Sequence, residues 1–498
     1  MEENIKILSK KCKNKKVIFY CIGKLFKEIQ SSFNLVELFN IVALCDIKFT
    51  NIQEYQGFKA ITPQNLNTIN YDYLIIISPD FDNKKNFLKE NNYLNKKIKI
   101  LNFYQKKLKI DARKNYKNIL KSFKNKEKIK ILFTCEQNEK WCYTDLYKIL
   151  QKSEKFEILP VVLYPIISKG ETIFTQEENK KFFNELNINS IDGFDYQNNN
   201  IIDIKKFEPD IVFYQQPWYL NNCNHPKFVS SYALTIMAPY GYTTLNEKEW
   251  GSDSVKEIYQ NLWLFLAESP YHIKFYKKAA KMKDNLISLG SLKLDNYQKP
   301  ILNNPFKNPH NLKVIYAPHH SLKNDGLKMS TFANDYLNFL NFAKNNPQYS
   351  FAYKPHPMLK NAVVEYNLMT KEEYENYVNE WNNLENAIVY DKGEYFDLFK
   401  SSDILITDCS SFLAEYYPSK KPIIFLNRAD RAPFDKFGEK IKKGFYKVND
   451  FEEIDELIKT IIKIDPLKKT RESILKKEFY IKGFAFEKVS QLLHNLHY

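Results

Sequence analysis

Glycine is scarce, 12 of 498 residues, and no internal repeat or low-complexity tract occurs, which excludes collagen-like, fibrous and disordered chains. The seven cysteines, Cys12, Cys21, Cys45, Cys135, Cys142, Cys223 and Cys409, are odd in number and form no C-x-x-C pair. Neither a disulfide framework nor a cysteine zinc site is expected, and a reducing cytoplasm fits. No run reaches the ~20 apolar residues of a membrane-spanning helix, and Met1-Glu2-Glu3-Asn4 does not open a signal peptide. The expectation is a cytoplasmic protein, soluble or peripheral on the inner face of the membrane. RNP-like motifs, zinc-ligand spacing and a clear recognition helix are missing. A nucleic-acid-binding protein is therefore a distant alternative, despite a net charge of 74 − 59 = +15. Of the dinucleotide fingerprint G-x-G-x-x-G only Gly23 is present, so NAD binding is not expected.

What is present suffices for several cores: 44% hydrophobic and 15% aromatic residues, over a length that suggests about three domains. Residues 1–104 read as a small Rossmann-like accessory module. Lys16-Val17-Ile18-Phe19-Tyr20 is a strand running into Gly23 and a helix start, Ile41 to Asp46 is a second strand ending in an acid, and Tyr73 to Ser78 is a third. Residues 105–130 are a basic linker with rough helical amphipathicity. It is either a solvated connecting helix or a segment that lies on anionic lipid.

Residues 131–299 and 300–498 read as two further α/β halves, giving an α/β fold class throughout. In the first, strands at 129–134, 157–163 and 210–216 lead into loops carrying Glu136, Gln137, Gln215, Tyr240 and Tyr242, placed to face a cleft and bind an acceptor. In the second, Asp403 to Thr407 has the character of a buried parallel strand. It runs into Asp408, Cys409, Ser410 and Ser411, residue types suited to a helix start where backbone N–H groups hold phosphate. Tyr353-Lys354-Pro355-His356-Pro357 ends another strand, its prolines stiffening a turn that presents Lys354 and His356. Together the two segments point to a phosphate-bearing donor.

In this order the segments resemble the CDP-glycerol glycerophosphotransferase family, the teichoic-acid and capsule polymerase group. Val314-Ile315-Tyr316-Ala317-Pro318, Lys354-Pro355-His356-Pro357, Thr407-Asp408-Cys409-Ser410-Ser411 and Lys421-Pro422-Ile423-Ile424-Phe425 match its strand, K-x-HP, TDYSS and KPIIF motifs. The resemblance implies a GT-B fold, with two Rossmann-like halves facing a cleft. It implies a CDP-linked donor as substrate, no tightly bound cofactor, and a polysaccharide or lipid-linked acceptor.

Thr407, Asp408, Cys409, Ser410, Ser411 and Lys293, the last in the crossover segment, would hold the donor phosphates. Glu415, Glu394 and Tyr395 would hold the nucleoside, and Lys354 and His356 would stabilise charge. No Asp-x-Asp motif stands out beside them, so no metal ligands are assigned and metal use is left open. Where the family carries a catalytic His in a W-H-G motif, this chain has Ala238-Pro239-Tyr240-Gly241. A neutral Tyr is a poor base near pH 7, which leaves His319, His320 and Glu136 as candidates, or a different acceptor. A glycosyltransferase or sugar-nucleotide epimerase on the same frame is the nearer alternative.

Overall fold

The computed structural model describes every residue except 1, 79–80, 95–97, 104–111, 169–170, 175, 198–199, 219, 221–222, 247–252, 323–326, 480 and 497–498. The chain forms two compact units, Met1–Lys117 with Tyr219–Ser231, and Asn118–Trp218 with Tyr232–Tyr498.

The first unit holds a six-stranded sheet of β1 (Lys16–Tyr20), β2 (Asn40–Cys45), β3 (Gln53–Tyr55), β4 (Phe58–Ile61), β5 (Tyr73–Ile76) and β6 (Lys99–Asn102), in the order β3-β4-β2-β1-β5-β6. All neighbours are parallel except the β3–β4 pair at the edge. Val17, Ile18 and Phe19 are fully buried, as expected for a central parallel strand covered on both faces. Asp46, in the ribose-acid position, spends its carboxylate on the loop itself, accepting from the backbone N–H of Ile22 at 2.5 Å and of Lys48 at 3.0 Å.

In the basic linker, a helix spans Ala112–Ser122, while residues 104–111 lie outside the described residues. Its apolar side is buried within the protein at Tyr116 and Leu120, as is the following Phe123. The lipid-lying reading is therefore corrected for this stretch, because the side that would enter a membrane is already covered. Among the described residues no helix is long and apolar enough to cross a membrane.

The second unit contains two larger sheets. The first is built from β7 (Ile129–Cys135), β8 (Phe156–Ile158), β9 (Val161–Leu163), β12 (Ser190–Asp192), β15 (Ile211–Tyr214), β16 (Leu234–Met237), β17 (Leu264–Leu266) and β18 (Leu286–Ile287). Their order is β12-β9-β7-β15-β16-β17-β18, with β8 beside β7. Two antiparallel hairpins, β10 (Ile166–Ser168) with β11 (Glu171–Phe174) and β13 (Phe194–Asp195) with β14 (Asn200–Ile201), lie outside it.

The second sheet comprises β19 (Leu312–Ala317), β20 (Tyr349–Tyr353), β21 (Ala387–Val389), β22 (Ile404–Thr407), β23 (Ile423–Leu426) and β24 (Tyr446–Val448), all parallel, in the order β21-β20-β19-β22-β23-β24. Strand order reverses between β19 and β22, and at such a switch point the loops after adjacent strands splay apart to leave a crevice.

The halves are tied together. Leu245 pairs with Phe434, and the C-terminal helix Ala485–His494 returns to the first half, where the His494 ring meets Phe156 at 4.9 Å. Asp295 anchors that return by accepting the N–H groups of Ala485 (2.9 Å) and Phe486 (3.0 Å).

Candidate functional site

The loops leaving β19, β20 and β22 at their C-terminal ends carry Pro318-His319-His320, Lys354-Pro355-His356 and Asp408-Cys409-Ser410-Ser411. Opposite them, the first half contributes the turn after β7 and the loop after β16. A cavity between the two halves is lined by Gln137, Glu139, Lys140, Tyr240 and Lys293 from one side, and by Lys354, His356, Tyr395, Cys409, Ser411, Phe412 and Glu415 among others from the other.

Its cations are sheltered. Burial pushes Lys354 and Lys140 down to about 8, against the opposing pull of Glu139 on Lys354 and of Glu136 and Glu139 on Lys140. The Lys354 ammonium donates to the carbonyl of Lys392 at 3.1 Å and lies 5.1 Å from the centre of the Tyr395 ring. Lys140 donates to Gln216 Oε1 at 2.7 Å and stands 5.0 Å over the Tyr240 ring. Lys293 lies 3.7 Å from Glu415 Oε2 and donates to the carbonyl of Glu139 at 3.3 Å.

The three histidines meet. Ring centroids are 4.2 Å apart for His319 and His320, 4.2 Å for His320 and His356, and 4.9 Å for His319 and His356. One ring nitrogen from each falls within 4.8 Å of the others, a spacing that would suit one metal ion. The hydrogen bonds favour another use. Nδ1 of His319 accepts the N–H of Ser321 at 3.1 Å, and Nδ1 of His356 accepts the N–H of Met358 at 3.1 Å. A neutral imidazole with Nδ1 accepting carries its proton on Nε2, and a protonated nitrogen cannot ligate a metal. Burial first, then neighbouring positive charge, drives both rings well below the usual histidine range, so they stay neutral near pH 7. Both rings are thus neutral, His356 offering Nε2–H as a donor, while Nδ1 of His319 also meets the Ser321 hydroxyl at 2.8 Å.

Glu415 is buried rather than solvated, accepting from the Tyr395 hydroxyl and facing Lys293. Gly241 explains how the halves come so close: a Cβ there would fall 2.6 Å from Glu415 Oε1. Gly393 plays the same part beside the turn after β7, where a Cβ would lie 3.2 Å from Asn138 Oδ1 and 3.3 Å from the Glu139 nitrogen.

Several expected ligands are turned inward. Gln215 is fully buried, its Oε1 accepting the N–H groups of Glu136 and Gln137 at 3.0 Å each, so it shapes the turn after β7 instead of meeting an acceptor. Glu136 is also buried, with its carboxyl pushed up to about 8 by desolvation, and it does not line the cavity. The Tyr242 hydroxyl donates to the carbonyl of Glu268 at 3.2 Å, and its ring packs on Phe437, which makes it core.

Asp408 accepts the N–H groups of His319 (2.6 Å) and Thr331 (2.8 Å), and Thr407 Oγ1 donates to the carbonyl of Ala317 (2.6 Å). Both lace the loops together. Glu394 Oε1 accepts the N–H of Phe396 at 2.8 Å and starts the helix Phe396–Ser401. Ser410 opens the short helix Ser410–Glu415, whose N-cap is Cys409 without a side-chain bond, and of the two serines Ser411 lines the cavity.

Two side chains carry no distinguishing sequence signal. Arg431, in the loop after β23, has all three guanidinium nitrogens buried without a hydrogen-bond partner among the described residues. It stacks 4.0 Å over Phe434 and 4.8 Å over Phe425. Its charge acts on Asp408 and His319. The other is Glu139, within the turn after β7.

A family model described as CDP-glycerol:poly(glycerophosphate) glycerophosphotransferase matches residues 204–464, and one described as C2185-like, N-terminal matches residues 13–100. No curated protein matches the chain. Among solved structures, S. aureus MnaA with UDP is similar at 14% identity over 74% of this chain and 98% of that one, with a TM-score of 0.51. The UDP-GlcNAc 2-epimerase of Neisseria meningitidis bound to UDP-GlcNAc gives 15%, 74%, 100% and 0.48. The wall teichoic acid polymerase TagF gives 14%, 78%, 96% and 0.46. The fold is of GT-B type, two parallel α/β halves about a cleft, together with a small N-terminal sheet module.

Proposed function

The chain belongs to the CDP-glycerol:poly(glycerophosphate) glycerophosphotransferase family, and from that premise we propose that it moves a glycerol-phosphate-like group from a CDP-activated donor onto a capsular or other cell-surface polysaccharide, free or lipid-linked. The observation that carries this reading is the cavity in which Lys354, Lys140, His356 and Ser411 converge from the two halves. Sheltered cations and a neutral N–H donor lining the cleft suit a diphosphate, whose charge they stabilise without reorganising. Arg431 is in keeping with it, since its charge acts on Asp408 and His319 in the loops after β22 and β19.

In the reaction the acceptor hydroxyl oxygen attacks the phosphorus that bears the glycerol. The new P–O bond forms as the bond to the bridging oxygen breaks in line, and CMP leaves with the electron pair. Lys354 and the His356 Nε2–H stabilise charge on the phosphoryl and leaving oxygens, and Ser411 and the backbone beside it hold the donor.

Incubation with CDP-glycerol and a surface glycan, read by mass spectrometry, is expected to show CMP and a glycan heavier by glycerol phosphate. His356→Ala is expected to slow this about 10²-fold or more while the thermal midpoint holds. A glycan heavier by a sugar, formed from a UDP-sugar donor, would overturn the proposal.

A further inference from the structure

Transfer to a hydroxyl requires a group that accepts its proton, because an alcohol is a weak nucleophile near pH 7 and a phosphoryl acceptor does little to acidify it. Of the three histidines His356 lines the cavity, and His319 and His320 are not among its lining residues. Nδ1 of His356 is engaged by the N–H of Met358, so its remaining nitrogen is a protonated donor, and Nδ1 of His319 is engaged by the N–H and hydroxyl of Ser321. Glu136 is closed into the core behind the turn. Glu139, three residues on, is different: it lines the cavity beside Tyr240, Lys354 and His356.

Its Oε2 is buried without a hydrogen-bond partner among the described residues, so a lone pair is uncommitted. Its backbone N–H meets its own carboxylate, and the backbone has further holds besides. The Glu139 carbonyl accepts from Lys293 at 3.3 Å, and the main chain abuts Gly393, whose missing Cβ leaves only 3.3 Å to the Glu139 nitrogen. The side chain is thus held by the turn after β7 on the acceptor side, opposite the loop that carries Lys354.

We propose that Glu139 is the general base of the transfer, taking the acceptor hydroxyl's proton on its carboxylate as the oxygen bonds to phosphorus and CMP departs. This rests on the transfer reading given above. The proton ends on Glu139 and passes to solvent when product leaves, so no other reactant is needed. The charged groups acting on Glu139 are Lys354 across the cleft, Lys140 on its own turn, and Glu178 on the helix Gln176–Glu185. Desolvation raises its pKa first, and Glu178 adds to this, while its own backbone N–H, Lys354 and Lys140 restrain it. The direction is the one a base working near neutrality needs.

The test compares wild type, Glu139→Gln and Glu139→Asp, each checked by thermal melt, for CMP release from CDP-glycerol and UDP release from UDP-N-acetylglucosamine. The expected result is a kcat lowered about 10²–10⁴-fold in Glu139→Gln, a donor KM within about threefold, loss of the acid limb of the kcat–pH profile, and partial recovery in Glu139→Asp. A kcat within tenfold of wild type overturns the inference, as does a donor affinity that falls in parallel with kcat. Turnover with the UDP-sugar alone would overturn the donor assignment, while the Gln-to-wild-type ratio would still decide the role of Glu139.

Discussion

At the residue scale the site separates groups that line the cavity from groups that hold loops, and the sequence does not draw that line. Lys354 and His356 stand out in sequence as a proline-flanked Lys-x-His after an apolar strand, and both line the cavity. Gln215 and Asp408 look equally functional as polar residues past strand ends, yet both are consumed by backbone N–H groups. Arg431 and Glu139 have no local pattern, and only the tertiary structure reveals their unpartnered atoms.

Arg431→Met is expected to weaken CDP binding about 10- to 100-fold, about 1.4–2.8 kcal/mol, measured by calorimetry. A dissociation constant unchanged within twofold would show that the guanidinium serves packing alone. Because Lys354 and Lys140 sit at about 8, CDP affinity is expected to be flat from pH 6 to about 7.5 and to decline above pH 8 as the ammonium groups lose protons. Lys354→Met should shrink that alkaline decline.

Glu136 gives a stability prediction. Its folded carboxyl, near 8, keeps a proton that the unfolded chain releases above about pH 4.3. Folding therefore loses stability as pH rises from about 4.5 to 8. Glu136→Gln removes that loss, so thermal melts should show the variant gaining on wild type across this window and matching it near pH 4.

At the element scale, strands β7, β15, β19, β20 and β22 are legible as short apolar runs, since a parallel strand covered on both faces needs no alternation. The returning C-terminal helix is not legible, because its partner surface lies more than three hundred residues earlier in sequence. The linker helix leaves a solvated and a lipid-lying reading open in sequence for a similar reason: amphipathicity shows that a face must be covered, not what covers it.

The glycines between the halves have a sharper role. Gly241→Ala would set a methyl against Glu415, a side chain already held by Tyr395 and Lys293 and unable to swing away. The expected cost is about 1–3 kcal/mol, with weakened CDP binding. Gly23→Ala, with nothing within 4 Å of its Cβ, is the control for a cavity-independent glycine change. Equal melting shifts for the two would show that the halves do not meet tightly at Gly241.

At the scale of the whole molecule, the strand order of the donor half explains why motifs separated by some ninety residues act together. Reversal between β19 and β22 opens one crevice that the loops after β19, β20 and β22 all border. The four motifs foretell that half, but not how the acceptor half closes over it, since Gly393 against the turn after β7 and Leu245 against Phe434 join segments with no shared sequence signature. The proposed reaction requires a cytidine-activated donor held by Lys354 in that crevice. The most direct measurement is calorimetric binding of CDP, UDP and GDP to wild type and to Lys354→Met. CDP is expected to bind at least about tenfold more tightly than the other two, ~1.4 kcal/mol, with that binding lost in the variant. Preference for UDP or GDP, or CDP binding that survives the loss of Lys354, would contradict it.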